Sequence, residues 1–354
     1  MKLKLQTPLR LPSGEDFLDP ATLSRIFGPI AELKRTQLDS IGFSGASFER
    51  LHVRLRNGES RALMLKRVPL RGDWISIRTG DTFGRTAALL RAPEMEAVWE
   101  VFHCPYLAFA SDGDEMTLLM EDVGKHLFPD ERMPLDQEAE DALLGVLARL
   151  HARFWEAPAL EASWLAPVAS RLDLLAPGEW IEEGVPSPPA MLREGLDRGW
   201  SAALRRLPAA LRRGMVVPAA ELAPLWRDLP RTLLHGDTKV ANFALLPDGR
   251  VSAFDWSFVG AGPSTLDLGW YLAMNATRLA RPKEAVIERY RELLEEALGR
   301  PIPGEDWSRM EDLAIWCGAR SMLWSKALAL ESGRDGAKEE WDWWVSRLGR
   351  SPGP

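Results

Sequence analysis

The sequence predicts an α+β protein of two lobes, a small β-rich N-terminal lobe over residues 1–122 and a larger, mostly helical C-terminal lobe over residues 123–354. Three observations carry this expectation. A chain of 354 residues is too long for one small core and suggests roughly two domains or lobes. Its N-terminal part holds apolar–polar alternation interrupted by Asn57-Gly58 and Asp112-Gly113, which are hairpin turn signals. From Gln137 onward the apolar residues recur at three- and four-residue spacing, the period of an amphipathic helix.

Composition bounds the function. A net charge of -7 provides no dominant basic surface and argues against nucleic acid as the main partner. Cys104 and Cys317 lie far apart without metal-ligand spacing, as in a reduced cytoplasmic protein with packed thiols. Lys2 and Lys4 are followed by no apolar run, so no signal peptide is expected. No segment approaches the ~18 apolar residues of a membrane span. Of the 15 tryptophans, all but Trp74 and Trp99 follow residue 150, so the C-terminal part has a bulky aromatic interior or groove.

In chain order, Asp19-Pro20-Ala21-Thr22-Leu23 starts a short helix with Leu23, Ile26, Phe27 and Ile30 on one face. Small residues from Ile41 through Ser47 then break the pattern. Leu51 to Leu55 alternates, Asn57-Gly58 turns, and Arg61 to Val68 completes a strand pair. Residues 73–85 are polar and rich in turn residues, as in an insertion or flap. Ala87 to Phe102 has helical character, with Leu90, Met95, Val98 and Phe102 near one face. Leu107 to Ala110 and Met116 to Met120 form a second hairpin that runs out at Glu121-Asp122-Val123.

The C-terminal part opens on a helix marked by Leu143, Leu147, Leu150 and Phe154. His151, beside them, is expected to be a hydrogen-bonded core residue. Pro177 to Pro189 is loop-rich, and helical stretches follow near Ala190–Leu207 and Pro218–Leu229. Ser264 or Thr265 caps a helix continuing through Leu268, Tyr271 and Leu272. Glu284–Leu298, Glu311–Leu330 and Glu339–Leu348 complete the set. Trp316, Trp324, Trp341, Trp343 and Trp344, with Glu311, Asp312, Glu340 and Asp342 nearby, either pack as a core stripe, the commoner outcome, or line a pocket for a cation.

The chemistry concentrates in Leu234-His235-Gly236-Asp237-Thr238-Lys239-Val240-Ala241-Asn242 and Phe254-Asp255-Trp256. Phe243 to Leu246, Pro247-Asp248-Gly249-Arg250 and Val251 to Phe254 read as strand, tight turn, strand. That hairpin returns Asp255 beside Asn242, close to Asp237. Two adjacent oxygen-bearing side chains make an open site for a hard cation such as Mg²⁺. A carboxylate a few residues upstream can take a proton from a hydroxyl, and an ammonium next to it can offset charge on a phosphoryl group. Phosphoryl transfer needs positioning and charge neutralisation of this kind.

His-Gly-Asp-x-Lys-x-x-Asn followed by Asp-Trp resembles the catalytic loop and metal-binding Asp of the protein-kinase-like fold. Gly at 236 and Trp-Ser at 256–257 are similar to the aminoglycoside phosphotransferase and choline kinase branch. The resemblance covers nearly the whole chain in order of motifs, and only the Asp237–Asp255 segment is highly specific. It implies a protein-kinase-like fold, ATP and Mg²⁺ as cofactors, and transfer of the γ-phosphoryl group to a small-molecule hydroxyl. Asp237 is then the base, Lys239 the charge stabiliser, and Asn242 and Asp255 the metal ligands. Lys66 reaches the phosphates, and Glu94, favoured over Glu96, pairs with it. Gly42, Ser44, Gly45 and Ser47 lie in the phosphate loop, which departs from Gly-x-Gly-x-x-Gly. Met120 lines the adenine pocket, with Glu121 and Val123 giving backbone groups. Asp267 props the loop, and His235 supports it.

Only eleven residues separate Asp255 from Asp267, and no Ala-Pro-Glu follows. A protein kinase keeps its peptide-docking segment there, so a protein substrate is disfavoured. A nucleotide-binding module without turnover is the other alternative.

Overall fold

The structure of the chain, a computed structural model, describes residues 8–39, 42–128, 133–178 and 185–351. Ile41 of the small-residue break and residues 179–184 of the loop-rich stretch lie outside the described residues. The N-terminal strands are Leu9–Arg10 (β1), Ile30–Leu38 (β2), Ser47–Leu55 (β3), Ser60–Pro69 (β4), Tyr106–Ser111 (β5) and Glu115–Glu121 (β6). They form one sheet in the order β1-β5-β6-β4-β3-β2, antiparallel except for β1 beside β5. Both hairpins fall at the Asn57-Gly58 and Asp112-Gly113 turns. The edge strand β2 escapes a reading by alternation because most of its side chains are exposed. Its register is held by β3 and by the Arg35–Glu49 ion pair, 2.7 Å.

The N-terminal helices are Pro20–Phe27 (α1), Trp74–Thr79 (α2), Arg85–Arg91 (α3) and Val98–Val101 (α4). Asp19 caps α1 by accepting from the Thr22 N–H at 3.0 Å. The single helix expected over Ala87–Phe102 is corrected to α3, a 3₁₀ turn at Pro93–Met95, and α4. Pro93 lacks an N–H and forces Ala92 into an extended conformation, φ -81°, ψ 111°. Residues 73–85 are corrected from a flap to packed structure, since Trp74 is 4% and Arg85 3% exposed.

The C-terminal part carries helices Gln137–Arg153 (α5), Val168–Asp173 (α6), Ala190–Arg206 (α7), Ala209–Val216 (α8), Thr265–Met274 (α9), Lys283–Leu298 (α10), Gly304–Glu331 (α11) and Ala337–Leu348 (α12). Its short strands are Thr232–Leu234 (β7), Phe243–Leu245 (β8), Val251–Ala253 (β9) and Gly260–Gly262 (β10), paired β7 with β10 and β8 with β9. The helix expected over Pro218–Leu229 is a 3₁₀ stretch at Ala219–Leu225, because Pro224 cannot supply the α-helical hydrogen bond.

One face of the N-terminal sheet closes on α1 through Phe17, Leu23, Leu51, Val53 and Leu119. The other face joins a core continuous with the helical part. Trp256 sits where the two lobes meet, edge-on to Trp99 at 5.9 Å and to Phe102 at 5.6 Å between ring centroids. Helix α9 crosses α11 closely enough that a Cβ at Gly269 would stand 2.3 Å from the Ala314 carbonyl oxygen. This crossing holds α9, and with it Asp267 and Trp270, against the loop that follows β7.

The C-terminal tryptophans pack as a core stripe. Trp341 and Trp344 are buried, and the nearby acids are taken by the chain's own cations: Glu340 by Lys283 and Lys326, Glu311 by Arg347, and Asp342 by Lys338.

Candidate active site

The loop after β7 is fixed by backbone hydrogen bonds to side chains of α9. Asp267 accepts the His235 N–H at 2.8 Å and the Gly236 N–H at 2.9 Å. His151 from α5 lies 3.2 Å from the same carboxylate, and its other ring nitrogen lies 2.6 Å from the Tyr290 hydroxyl. Further along, Asn275 accepts the Val240 N–H at 2.9 Å and donates to the Thr238 carbonyl at 3.0 Å. Gly236 has φ +81°, and a Cβ there would stand 2.2 Å from the Phe258 carbonyl oxygen. Both facts exclude a side chain, which accounts for glycine where a protein kinase has arginine.

His235 is a support for this loop. Its Nδ1 accepts the Asp237 N–H at 3.2 Å, and its ring lies 4.4 Å from the Trp256 ring centroid and 5.2 Å from that of Phe243. Burial pushes its pKa down, which favours the neutral imidazole.

Asp237 is gripped from three sides. The Trp270 indole N–H donates to Oδ1 at 2.7 Å, the Asn242 carboxamide to Oδ2 at 2.9 Å, and Lys239 Nζ stands 2.9 Å from Oδ2. Burial opposes its charge, but Lys239 and Arg171 outweigh burial and the nearby Asp255, so its pKa falls below the ordinary value. Lys239 shifts upward: burial opposes its charge, and Asp237 and Asp255 overcome that.

The β8–β9 hairpin returns Asp255 to the same place, with the Phe254 N–H donating to the Asn242 carbonyl at 3.1 Å. Asp255 has φ +64°, a strained conformation for a non-glycine residue. It is held by its N–H donating to the Tyr106 hydroxyl at 3.2 Å and by Ser257 Oγ donating to Oδ1 at 3.0 Å. Lys66 from β4 reaches across from the N-terminal sheet to within 2.9 Å of Oδ1. Burial opposes ionisation of Asp255, yet Lys66 and Lys239 hold its carboxyl well below the usual carboxylate range.

That shift predicts a pH dependence. A carboxyl depressed in the folded state stabilises the protein fully above its unfolded pKa, about 4, and the stabilisation is lost as pH falls through the lower folded value. Removing Lys66 raises the folded value towards the unfolded one. Urea melts of the wild type and Lys66→Met should therefore differ most at pH 6 to 7 and converge as the pH drops below about 4.

Among the described residues, no group of three or more His, Cys, Asp or Glu could enclose a metal ion. Asp255 and the Asn242 carboxamide remain a two-residue oxygen donor set, with Asp255 ionised and 28% of its side chain exposed. This suits a cation that keeps phosphate and water oxygens as its other ligands.

The other sequence-derived residues divide. Gly42, Ser44 and Gly45 form a bend leading to Ser47 at the start of β3. That bend is pinned by the Gly45 N–H donating to Asp73 at 2.8 Å and by the Trp74 indole donating to the Phe43 carbonyl at 2.7 Å. Met120 lies on β6 opposite Met64 and Tyr106. The Val123 N–H donates to the Glu121 carbonyl at 3.1 Å, so these two backbone groups bond each other here. Glu94 is not brought to Lys66. It is exposed on the turn that Pro93 creates, and α3, the helix expected to carry it, ends before it and contains no acid.

Three residues escaped the sequence reading. Arg85 donates to the carbonyls of Trp164 at 3.2 Å and Ser257 at 3.3 Å, tying residues 73–85 to the Asp255 loop. Arg171 on α6 donates to the Gly236 carbonyl at 2.8 Å and stacks 3.9 Å from the Trp270 ring centroid. Trp270 itself had a signal, since it lies three residues after Asp267 and so shares its helix face. Arg85 and Arg171 had none, because their partners are distant in sequence.

The chain matches the profile of the phosphotransferase enzyme family (APH) over residues 42–313. Comparison with curated proteins finds no match. Among solved structures, the chain is similar to choline kinase LicA from Streptococcus pneumoniae, at 14% identity over 95% of this chain and 99% of that one, TM-score 0.43. It is also similar to an aminoglycoside phosphotransferase from Alicyclobacillus acidocaldarius, at 15% identity over 89% of each chain, TM-score 0.48. A third is macrolide 2'-phosphotransferase MphH from Brachybacterium faecium, at 17% identity over 95% of this chain and 98% of that one, TM-score 0.39.

Proposed function

Because the chain belongs to the phosphotransferase enzyme family, we propose that it is a cytoplasmic small-molecule kinase that moves the γ-phosphoryl group of ATP to a substrate hydroxyl. The observation that supports this most is the convergence of Asp237, Lys239, Asn242 and Asp255 with Lys66 arriving from the opposite lobe. In this reading the lobes divide between residues 122 and 123, after β6 has ended at Glu121. No described helix is long and apolar enough to cross a membrane.

In this reading Asp237 accepts the hydroxyl proton as the acceptor oxygen bonds to the γ-phosphorus. The bond from that phosphorus to the β–γ bridging oxygen breaks, and ADP leaves with the electron pair. Lys66 turns from Asp255 to the non-transferred phosphates, and Lys239 offsets charge on the moving group. Mg²⁺ held by Asp255 and Asn242 would neutralise phosphate charge when bound. Gly42 to Ser47 cover the phosphates, and Met120, Glu121 and Val123 border the base.

The alternative of nucleotide binding without turnover draws on one observation, the lack of a glutamate partner for Lys66 among the described residues. Both are tested by following ADP release from Mg·ATP with amino alcohols, aminoglycosides, macrolides and sugars. The kinase reading expects one class to raise release at least about tenfold above the rate with water, a difference of ~1.4 kcal/mol in barrier. Saturable ATP binding with no stimulation by any acceptor class would favour the silent module.

A further inference from the structure

We infer that Trp270 is a positioning residue for the phosphoryl-transfer base, held in place by Arg171. This rests on the kinase reading of Asp237. Asp237 has two carboxylate oxygens and three side-chain donors. Asn242 and Lys239 both act on Oδ2, whereas Trp270 is the one donor to Oδ1 among the described residues. Turning about the Cβ–Cγ bond carries both carboxylate oxygens, so with Oδ2 alone held the rotation is opposed at one end of the group only. The indole at 2.7 Å from Oδ1 opposes it at the other end and fixes where the remaining lone pairs point. An indole N–H donates and never accepts, so it orients the base without competing for the acceptor's proton.

The indole is fixed in turn. Trp270 follows Asp267 by one helical turn on α9, so the residue that holds the loop backbone and the one that holds the base move as one body. On its outer side the Arg171 guanidinium stacks 3.9 Å from the Trp270 centroid and 4.8 Å from that of Phe258, while its Nε–H donates to the Gly236 carbonyl at 2.8 Å. Trp270 and Arg171 also wall the same narrow pocket, together with Gly236 and Phe258. Helix α6, which has no part in the chemistry, thereby bears on the carboxylate through one stacked pair.

Two readouts test the inference on the full chain. The first needs no acceptor. In a sample with ¹⁵N-labelled tryptophan, the indole resonance absent from Trp270→Phe is that of Trp270. It is expected to be protected from solvent exchange and to move on Asp237→Asn. The second is ADP release from Mg·ATP, with water or the stimulating acceptor. Trp270→Phe keeps the ring under Arg171 and removes the N–H. It is expected to lower kcat about tenfold, with KM for Mg·ATP within about twofold and an unchanged melting temperature. Arg171→Met is expected to speed exchange of the Trp270 indole proton.

An indole resonance indifferent to Asp237→Asn, or a wild-type kcat in Trp270→Phe, would overturn the inference. So would a loss of kcat matched by equal losses in nucleotide affinity and melting temperature, which marks a purely structural role. Asp237→Asn in the same series separates the two claims. If it stays active, the base assignment fails; if it is inactive while Trp270→Phe is normal, only the positioning role fails.

Discussion

Replacing Asp237 with Asn is expected to lower phosphoryl transfer by about 10²–10⁴-fold, the range that a positioned general base contributes. The amide keeps the shape and its single oxygen still accepts from Trp270 or from Asn242, while the loop backbone stays tied to Asp267 and Asn275. Nucleotide binding should change by less than about threefold, because Lys66 and Asp255 pair with each other and neither hydrogen-bonds Asp237. Single-turnover transfer from labelled ATP, alongside equilibrium titration of nucleotide, separates the two effects. An Asp237→Asn enzyme with full activity would remove Asp237 from the role of base.

A second large effect is expected at a residue with no functional group. Gly236→Ala must adopt φ near +81° and place a methyl 2.2 Å from the Phe258 carbonyl oxygen. Left-handed strain alone costs about 1–3 kcal/mol. The overlap is with backbone, which cannot swing aside as a flexible side chain could. The loop must therefore shift, breaking the Gly236 N–H bond to Asp267 and moving Asp237. The expected result is a loss of about 3 kcal/mol or more in urea unfolding, with kcat reduced at least about a hundredfold. Wild-type stability and rate in Gly236→Ala would show that the loop tolerates another path.

What the sequence made legible follows from how local each signal is. The Asn57-Gly58, Asp112-Gly113 and Asp248-Gly249 turns place three hairpins, because the chemistry of a tight turn is contained within a few residues. The last of these brings Asp255 back to Asn242. The position of Asp267 under the loop was likewise legible as an implication of the family resemblance. Long-range partnerships were not. That Lys66 meets Asp255 and not Glu94 depends on Pro93 breaking a helix and on the approach of two lobes. Whether Glu311, Glu340 and Asp342 face a ligand or the chain's own cations is decided by how α10, α11 and α12 pack. Residues 73–85 looked like surface from their polarity. Yet Asp73 is consumed in capping α2 and tethering Gly45, and Arg85 in two contacts across the fold.

The central claim is that Asp255 and Lys66 belong to one metal-dependent triphosphate site facing Asp237. It is tested most directly by titrating ATP calorimetrically into the wild type and Asp255→Ala, each with Mg²⁺ and with a chelator. The account predicts saturable binding to the wild type that weakens at least about tenfold when the metal is removed, equal to ~1.4 kcal/mol. In Asp255→Ala that metal dependence should disappear. ATP that fails to bind the wild type, or a metal dependence that survives in Asp255→Ala, would contradict it.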